Sequence, residues 1–324
     1  MVKGASDVNF HTIGGKSVVE RDDAKYMEYR RKWKEWPENF VAGDFPLHLD
    51  IEPSTACNLR CPFCATTYNK YKPGFMEEKT WKKILDEAGA NNLPSLKFTF
   101  RGEPMLHKDL ARMVRYAKDV GVMDVYFNTN ATKLDETAVR ELIDAGLDRI
   151  SISFEGFEKA VYEKYRVGSN YEQVLKNIKR LKEIKEELGV QKPFVRIQTV
   201  LVPEMRGKEE EYVKFWSSRV DEVGLLDMKN EEKNPDHTGT EYYWACPQLW
   251  QRMTITWEGA ILPCVHDIYE KMAFGNISNM TIKEAWNSAK EKEYRNLHQS
   301  GRAHEISACD RCPLRESEIL KMRG

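Results

Sequence analysis

Three closely spaced cysteines near residue 60 are the side chains best suited to chemistry. Cys57, Cys61 and Cys64 follow a Cys-x3-Cys-x2-Cys spacing, directly after a strand-like run at residues 47–53. Three thiolates on one short loop can hold three irons of a [4Fe–4S] cluster and leave the fourth iron without a protein ligand. Because an open iron can bind a reactant, the loop is predicted to be a catalytic cluster site. A zinc site or a disulfide pair is the alternative on these residues alone.

A second set of cysteines lies towards the C-terminal end: Cys246, Cys264, Cys309 and Cys312. Four thiols brought together can ligate a tetrahedral zinc or complete a [4Fe–4S] cluster, and the spacing does not choose between them. The total of seven cysteines is odd, which disfavours a framework made only of disulfides. His107, His266 and Asp267 lie beside these motifs, and since four cysteines suffice we expect them to be supporting or structural residues.

The first cysteine loop resembles the signature of the radical S-adenosylmethionine (SAM) superfamily. The resemblance implies that the open iron chelates the amino and carboxylate groups of SAM, and that the reduced cluster cleaves SAM to a 5′-deoxyadenosyl radical. The run Arg101-Gly102-Glu103-Pro104 is similar to the family's Gly-Gly-Glu-Pro motif, whose glutamate takes the SAM ammonium, but Arg101 replaces the first glycine. The same resemblance implies further contacts with SAM. Phe63 and Leu201 are expected to lie near the adenine, Asn128 and Ser153 to contact the ribose and carboxylate, and Arg166 to pair with the carboxylate.

The second cysteine set resembles the auxiliary-cluster region of the SPASM/Twitch group within that superfamily. The resemblance lies in a Cys-x12-Gly-x4-Cys hairpin around Gly259, followed by Cys-x2-Cys. No cysteine follows Cys312. The resemblance is therefore to the shorter Twitch type and, in cysteine layout, to the 2-deoxy-scyllo-inosamine dehydrogenases. This implies two [4Fe–4S] clusters, one that binds SAM and one auxiliary, and a reducing partner such as flavodoxin or ferredoxin.

The elements that position these residues follow from the alternation of strand and helix patterns between residues 46 and about 230, typical of parallel βα units. The six predicted strands are Leu47–Glu52, Leu96–Arg101, Asp124–Asn128, Arg149–Phe154, Phe194–Leu201 and Val223–Lys229. One face of each strand is apolar and the other polar; Leu49 and Ile51 alternate with His48 and Asp50. Since a closed eight-stranded barrel fills its lumen with apolar side chains, the polar faces favour a wider, ligand-filled lumen.

The predicted fold class is therefore α/β, with a partial (β/α)6 radical SAM barrel and a small C-terminal α+β iron–sulfur domain of the Twitch type. We expect an N-terminal helical extension at residues 1–45, with a helix across Arg21–Trp36. The barrel is expected at residues 46–230 and the auxiliary cluster domain at residues 231–324.

The assignment of all seven cysteines to clusters limits the reaction. No thiol remains to donate a hydrogen atom, so oxidation is favoured over cysteine-dependent epimerisation. The predicted reaction is a two-electron dehydrogenation of a hydroxylated small molecule, a sugar or cyclitol, with the auxiliary cluster as electron acceptor. Candidates for proton handling or substrate binding on the lumen faces are Lys229, Asp227 and Arg196. A salt-bridge role is the alternative for each of the three.

Other functions remain open at this level. They are a maturase that modifies a ribosomal peptide, a sugar epimerase or deoxygenase, and a zinc-stabilised binding protein without enzymatic activity. The 45 residues before the barrel are expected to leave no room for a leader-binding domain, which disfavours the maturase.

Composition excludes further partners. There are 50 basic and 51 acidic residues, and such a balance gives no net field for binding nucleic acid. No apolar run approaches the roughly 20 residues of a membrane span, and the N-terminus lacks the apolar segment of a signal peptide. We therefore expect a soluble, cytoplasmic protein that binds neither nucleic acid nor membrane.

Overall fold

A computed structural model describes residues 8–12, 23–69, 71–227, 244–310 and 312–323. Within these ranges the strands are β1 (Val8–Thr12), β2 (His48–Ile51), β3 (Ser95–Phe98), β4 (Asp124–Thr129), β5 (Arg149–Ser153), β6 (Phe194–Leu201), β7 (Glu222–Asp227), β8 (Arg252–Ile255), β9 (Ala260–Leu262) and β10 (Gly275–Asn276). They form one sheet in the order β1-β7-β6-β5-β4-β3-β2-β8-β9-β10.

The helices of the described residues are α1 (Ala24–Glu38), α2 (Ala65–Tyr68), α3 (Glu78–Ala90), α4 (Leu110–Asp119), α5 (Glu136–Asp144), α6 (Lys159–Tyr165), α7 (Tyr171–Leu188), α8 (Glu209–Trp216), α9 (Gln248–Gln251), α10 (Ile282–Trp286), α11 (Ala289–Gln299), α12 (Ser307–Asp310) and α13 (Pro313–Arg323). Across the described ranges, none of them has both the length and the apolar composition needed to cross a bilayer.

Strands β2 to β7 pair in parallel, each with the next in sequence. This confirms the predicted α/β class with a parallel core. The last predicted strand, Val223–Lys229, corresponds to β7, so Lys229 lies outside the described residues. Helix α5 begins after Asp135, whose carboxylate accepts the Ala138 N–H at 2.9 Å and so caps the helix.

Both edges of the parallel core are extended by strands that are not among the six predicted for the barrel. At one edge β1 pairs antiparallel with β7, so the N-terminal segment contributes a strand as well as helix α1. At the other edge β8 pairs parallel with β2, and the predicted hairpin of β8 and β9 follows. The C-terminal region therefore continues the sheet of the barrel.

The core lies between the apolar strand faces and the helices that cover them. Helix α3 shows why these segments are helical, because Trp81, Ile84, Leu85 and Ala88 recur at the spacing of one helix face and all are buried. The strand residues packed in the same cluster include Leu49, Ile51, Phe98, Val125, Phe127, Ile150, Ile152, Val195 and Ile197. The predicted apolar faces are thus the faces buried against helices.

Helix α1 covers the amino-terminal ends of β2 and β8. The Trp33 ring meets the His48 ring edge-on, with 5.9 Å between centroids. The Gln251 side-chain amide donates a hydrogen bond to the Trp33 carbonyl at 2.6 Å. The helix therefore closes the lumen opposite the cysteine loop, which follows the carboxyl end of β2.

Candidate active site

The three-cysteine loop lies between β2 and α2, where the carboxyl ends of the parallel strands meet. Cys61 is buried, and Cys57 and Cys64 are partly exposed. The Cys64 N–H donates to the Cys61 carbonyl at 3.1 Å, and the Arg60 N–H donates to the Val167 carbonyl at 2.9 Å. The three thiols line one cavity of about 180 Å³ together with residues from the ends of β3, β4 and β5.

Most residues that the sequence resemblance assigned to SAM line this same cavity: Phe63, Gly102, Glu103, Asn128, Ser153 and Arg166. Leu201 differs, because it packs in the core at the end of β6 and is not among the lining residues. Thr66, Thr99 and Asn130 also line the cavity, although none of them is among the site residues predicted from the sequence. The signal for Thr99 and Asn130 was their place on the polar strand faces, close to the strand ends.

Glu103 is held in the cavity wall by three donors. Its Oε1 accepts the Thr129 hydroxyl at 2.7 Å and the Met105 N–H at 3.1 Å, while its Oε2 accepts the Asn130 N–H at 2.8 Å. Burial raises the pKa of Glu103, against the opposing effect of these donors. A cation bound next to a buried carboxylate stabilises its charge, so the ammonium of SAM fits this position.

Gly102 occupies a backbone position that excludes other residues. Its φ is +66°, and a Cβ built there would lie 2.3 Å from the Ser54 carbonyl oxygen and 2.8 Å from that of Ala56. The next N–H, that of Glu103, donates to the same Ala56 carbonyl at 2.8 Å. The absence of a side chain lets the motif pack against the backbone that leads into the cysteine loop.

Arg101, the departure from the family motif, is not among the cavity-lining residues. Its guanidinium donates to Glu52 Oε1 at 2.7 Å and to Glu52 Oε2 at 2.8 Å. It also donates to Glu270 Oε1 at 2.7 Å and to the Ile268 carbonyl at 3.2 Å, and it lies 4.6 Å from the Tyr71 ring centroid. Arg101 therefore joins the barrel to the C-terminal region without occupying the cofactor cavity.

Arg166 brings a positive charge to the thiols. Its Nη2 donates to Glu155 Oε1 at 2.7 Å, and its Nη1 lies 3.7 Å from Cys61 Sγ. Burial lowers the pKa of Arg166, but the Glu155 carboxylate outweighs burial and raises that pKa, so the guanidinium is charged. Burial raises the pKa of the Cys61 thiol to about 11, and Arg166 opposes this. Three adjacent thiols beside a cation suit a metal cluster that binds them as thiolates.

Of the three residues predicted to handle protons, Arg196 is the one whose side chain lies within the described residues. Arg196, near the amino end of β6, forms an ion pair with Glu222 and is not among the cavity-lining residues. Asp227 ends β7, but its side chain lies outside the description, as does all of Lys229. The period-2 pattern identified the lumen face of Arg196 correctly, but such a pattern does not give depth along the strand.

A cluster of buried charges forms the floor of the lumen below the cavity. Asp50 is fully buried, with its carboxylate 3.3 Å from Arg252 Nη1, 3.6 Å from His48 Nε2 and 3.9 Å from Lys97 Nζ. Burial alone would raise the pKa of Asp50, but Arg252, His48 and Lys97 together hold it well below its ordinary value. This cluster is the polar lumen face that the strand patterns predicted.

Lys97 is the floor residue nearest in sequence to the cavity. It lies two positions before Thr99 on β3 and therefore on the same side of the strand. Its side chain is 21% exposed, and its 3.9 Å distance to Asp50 is longer than a hydrogen bond. Burial lowers the pKa of Lys97, although the Asp50 carboxylate opposes that effect.

The four C-terminal cysteines also meet, and they line a second, small cavity: Cys246, Cys264, Cys309 and Cys312. Trp244, Leu249 and Met272 supply apolar walls, and His266 and His298 complete much of the lining. Burial raises the pKa of the Cys264 and Cys309 thiols well above the ordinary value. Four crowded thiols gain from a metal cluster that binds them as thiolates, so the residues fit the auxiliary cluster.

The histidines beside the cysteines have different roles. His107 Nδ1 accepts the Asp109 N–H at 3.1 Å, and its Nε2 lies 2.9 Å from the Met76 carbonyl, so it is structural as expected. Asp267 likewise accepts two backbone N–H groups, at 2.9 and 2.7 Å. His298, which is not among the site residues predicted from the sequence, lines the second cavity, and burial lowers its pKa to about 4.

Family comparison agrees with both sites. Residues 51–215 match the model of the radical SAM superfamily. The chain belongs to the radical SAM superfamily. Residues 246–313 match the SPASM model, an iron–sulfur cluster-binding domain. As a radical SAM protein with a SPASM region, it uses SAM, a [4Fe–4S] cluster and an auxiliary cluster, as predicted.

Individual relatives differ in how much they cover. A "Probable GTP 3',8-cyclase" of Methanococcus maripaludis is 34% identical over 142 residues, 42% of this chain and 45% of that protein. The match thus spans less than half of that relative's length. The "Tungsten-containing aldehyde ferredoxin oxidoreductase cofactor-modifying protein" of Pyrococcus furiosus is 24% identical over 322 residues, 83% of this chain and 88% of that protein.

The fold also matches a solved structure, that of BtrN in complex with AdoMet and 2-DOIA. The match covers 83% of this chain and 93% of that chain, with a TM-score of 0.56. The sequence identity is 18%, so the comparison supports the fold alone. It agrees with the predicted partial barrel and C-terminal iron–sulfur region.

Proposed function

We propose that this radical SAM protein is a dehydrogenase that oxidises one secondary alcohol of a hydroxylated small molecule, such as a sugar or cyclitol. The observation that carries the proposal is the division of the cysteines between two cavities. Three line the cavity that holds the SAM-binding residues, and four line a separate small cavity. The second set has enough thiolates to ligate every iron of a cluster, which suits electron transfer better than substrate binding.

The reaction converts a secondary alcohol to a ketone. The substrate loses a hydrogen atom from carbon, a proton from the hydroxyl and one electron, which balances the two-electron oxidation. When bound at these sites, SAM supplies a 5′-deoxyadenosyl radical as the hydrogen-atom acceptor and the auxiliary cluster supplies a one-electron acceptor. The protein's own task is to position the two reactants and to accept the proton. The electron for SAM cleavage comes in this proposal from a flavodoxin or a ferredoxin.

The cavity side chains orient SAM. Glu103 faces the ammonium with a carboxylate already fixed by three hydrogen bonds. Arg166, held by Glu155, offers its charge to the carboxylate, and Phe63 lies under Arg166 at 5.7 Å from ring centroid to guanidinium carbon. Asn128 and Ser153 at the ends of β4 and β5 are available to hydroxyl groups of the ribose.

The substrate in this proposal lies in the lumen between the cofactor cavity and the charged floor. The side chains there can form directional bonds; the Ser151 hydroxyl, for example, donates to Gln198 Oε1 at 2.9 Å. A substrate rich in hydroxyl groups can exchange such bonds with Ser151 and Gln198, whereas an apolar substrate would leave these polar groups unpaired.

Lys97 is the residue we propose as the proton acceptor. Its lowered pKa makes the neutral amine accessible at a lower pH than for an ordinary lysine. Arg196 is a poor acceptor, because a guanidinium stays protonated in proteins and this one pairs with Glu222. Lys97 therefore replaces Arg196 in the predicted chemistry.

The test is anaerobic incubation of cluster-loaded protein with panels of amino sugars, cyclitols, nucleotide sugars and peptides. A product two mass units lighter, with one 5′-deoxyadenosine per turnover, supports the dehydrogenase. An unchanged mass with solvent deuterium at carbon would mean epimerisation, and a modified peptide would mean a maturase. With a substrate in hand, Lys97→Met should lower kcat at least tenfold, whereas the exposed control Lys108→Met should not.

A further inference from the structure

His298, on α11, lies between two of the auxiliary cysteines. The backbone N–H of Cys246 points at its Nδ1, with 3.1 Å between the nitrogens. Its Nε2 lies 3.4 Å from the Sγ of Cys309. His298 is 1% exposed, so the residue is buried away from bulk water. One side chain thus contacts cysteines that are 63 positions apart in the sequence, Cys246 and Cys309.

The first of these contacts fixes the position of the proton on the ring. A backbone N–H can only donate, so Nδ1 must accept with its lone pair and cannot itself carry a hydrogen. A neutral imidazole holds its one hydrogen on the other nitrogen. Nε2 therefore carries the N–H, and the sulfur of Cys309 is its nearby acceptor.

We propose that His298 is a positioning residue that donates an N–H···S hydrogen bond to Cys309 and thereby raises the reduction potential of the auxiliary cluster. A hydrogen bond to a thiolate sulfur withdraws electron density from the iron, which stabilises the reduced cluster, and such bonds are among the determinants of cluster potentials. The proposal requires the auxiliary cluster but not the identity of the substrate.

Two variants separate the hydrogen bond to sulfur from the anchor on the Cys246 backbone. His298→Asn keeps an oxygen acceptor near the position of Nδ1 and loses the donor at Nε2. His298→Gln has a longer side chain, which can place an amide N–H near the position of Nε2. His304→Asn is the control, because His304 lies in the same region but is not among the residues lining the cluster cavity.

The measurement is a redox titration followed by electron paramagnetic resonance on iron-loaded full-length protein. The background carries Cys57→Ala, Cys61→Ala and Cys64→Ala, so that only the auxiliary cluster contributes. We expect His298→Asn to shift the cluster about tenfold towards its oxidised form at a fixed potential. For a one-electron couple this corresponds to a reduction potential that is lower by about 59 mV. His298→Gln should restore much of the parent value, and His304→Asn should not change it.

The proposal would be overturned if His298→Asn kept its full complement of auxiliary iron and had the same reduction potential as the parent protein. A second measurement does not depend on the variants folding. Electron–nuclear double resonance on the parent protein with 15N-labelled histidine should detect an exchangeable proton and an imidazole nitrogen coupled to the cluster. Absence of both couplings in the parent would overturn the proposal as well, whatever iron the variants retain.

Discussion

Arg101 Nε lies 2.7 Å from Glu52 Oε1, and both side chains are almost completely buried. Glu52 also accepts the N–H of Trp257 at 3.1 Å, while Arg101 reaches Glu270. The pair therefore connects the end of β2 with two points of the C-terminal region.

Removing Arg101 should destabilise the whole chain. Arg101→Leu leaves the Glu52 charge buried without its partner, and breaking a buried pair in this way costs about 3–5 kcal/mol. Urea unfolding should show the loss. Arg112→Leu is the control, because Arg112 is 57% exposed and its surface ion pairs contribute little. Equal stability of the two variants would contradict the structural role of Arg101.

Substitution of Gly102 should weaken SAM binding more than the strain of its left-handed backbone alone would. Gly189 has nearly the same φ, +65° against +66°, but nothing lies within 4 Å of a Cβ placed there. Gly189→Ala should therefore cost only the left-handed strain, about 1–2 kcal/mol, and leave SAM affinity unchanged. Gly102→Ala adds the clash with the Ser54 carbonyl, and equilibrium dialysis should show at least tenfold weaker SAM binding. Equal affinities would rule out a steric role for Gly102.

Replacing Cys57, Cys61 and Cys64 with Ala should abolish the formation of 5′-deoxyadenosine. The auxiliary site has its own four thiols, so about four of about eight irons should remain. Iron analysis and chromatography of the reaction mixture check both expectations. Undiminished 5′-deoxyadenosine in the triple variant would place the SAM cluster elsewhere.

Cys246→Ala and Cys309→Ala should separate SAM cleavage from product formation. Each variant removes one of four thiolates, so the electron acceptor is damaged while the first cavity keeps its own three. We expect residual 5′-deoxyadenosine without the corresponding oxidised product, measured together by mass spectrometry. Lower thermal stability should accompany the loss, because metal binding contributes to folding. Full turnover in either variant would show that the auxiliary cluster is not an obligatory acceptor.

Asp50 should give the stability of the protein a specific dependence on pH. Its pKa is lower in the folded protein than in the unfolded chain, where a free Asp has a pKa of about 3.9. The unfolded chain thus binds the proton first, so the stabilisation is complete above that pH and is lost as the pH falls. Asp50→Asn should be less stable at pH 7, with the difference shrinking below about pH 4.

Urea unfolding at several pH values measures this difference. Asp144→Asn is the control, since Asp144 is 83% exposed, and its difference from the parent should stay constant. A constant difference for Asp50→Asn too would mean that the floor charges do not lower the pKa of Asp50.

The sequence predicted those parts of the fold that depend on local patterns. The parallel strands and the first cysteine set follow from neighbours within a few positions. The pairing of β8 with β2 could not be predicted in this way. The two strands are far apart in sequence, and the residues of neither strand identify the other as its partner. The position of a residue along its strand was also missed. Period-2 alternation placed Arg196 on the lumen face, but it could not show that Arg196 lies away from the cavity.

His298 shows the same limit at the second site. In the sequence it is one histidine in a strongly polar helical segment, and His266 lies closer to a cysteine in the chain. Only the packing of α11 against the cysteine loops brings His298 between Cys246 and Cys309. A supporting residue of this kind is determined by tertiary contacts, whereas the cluster ligands are recognised by spacing.

The pairing of β2 with β8 has a consequence during synthesis on the ribosome. Strand β2 is made early, but β8 is made about 200 residues later, which takes about 10–40 s at about 5–20 residues per second. During that interval one side of β2 has unpaired backbone groups and can add a strand from another nascent chain. Slower elongation before β8 should therefore increase aggregation, and a chain truncated before Arg252 should need a chaperone to stay in solution.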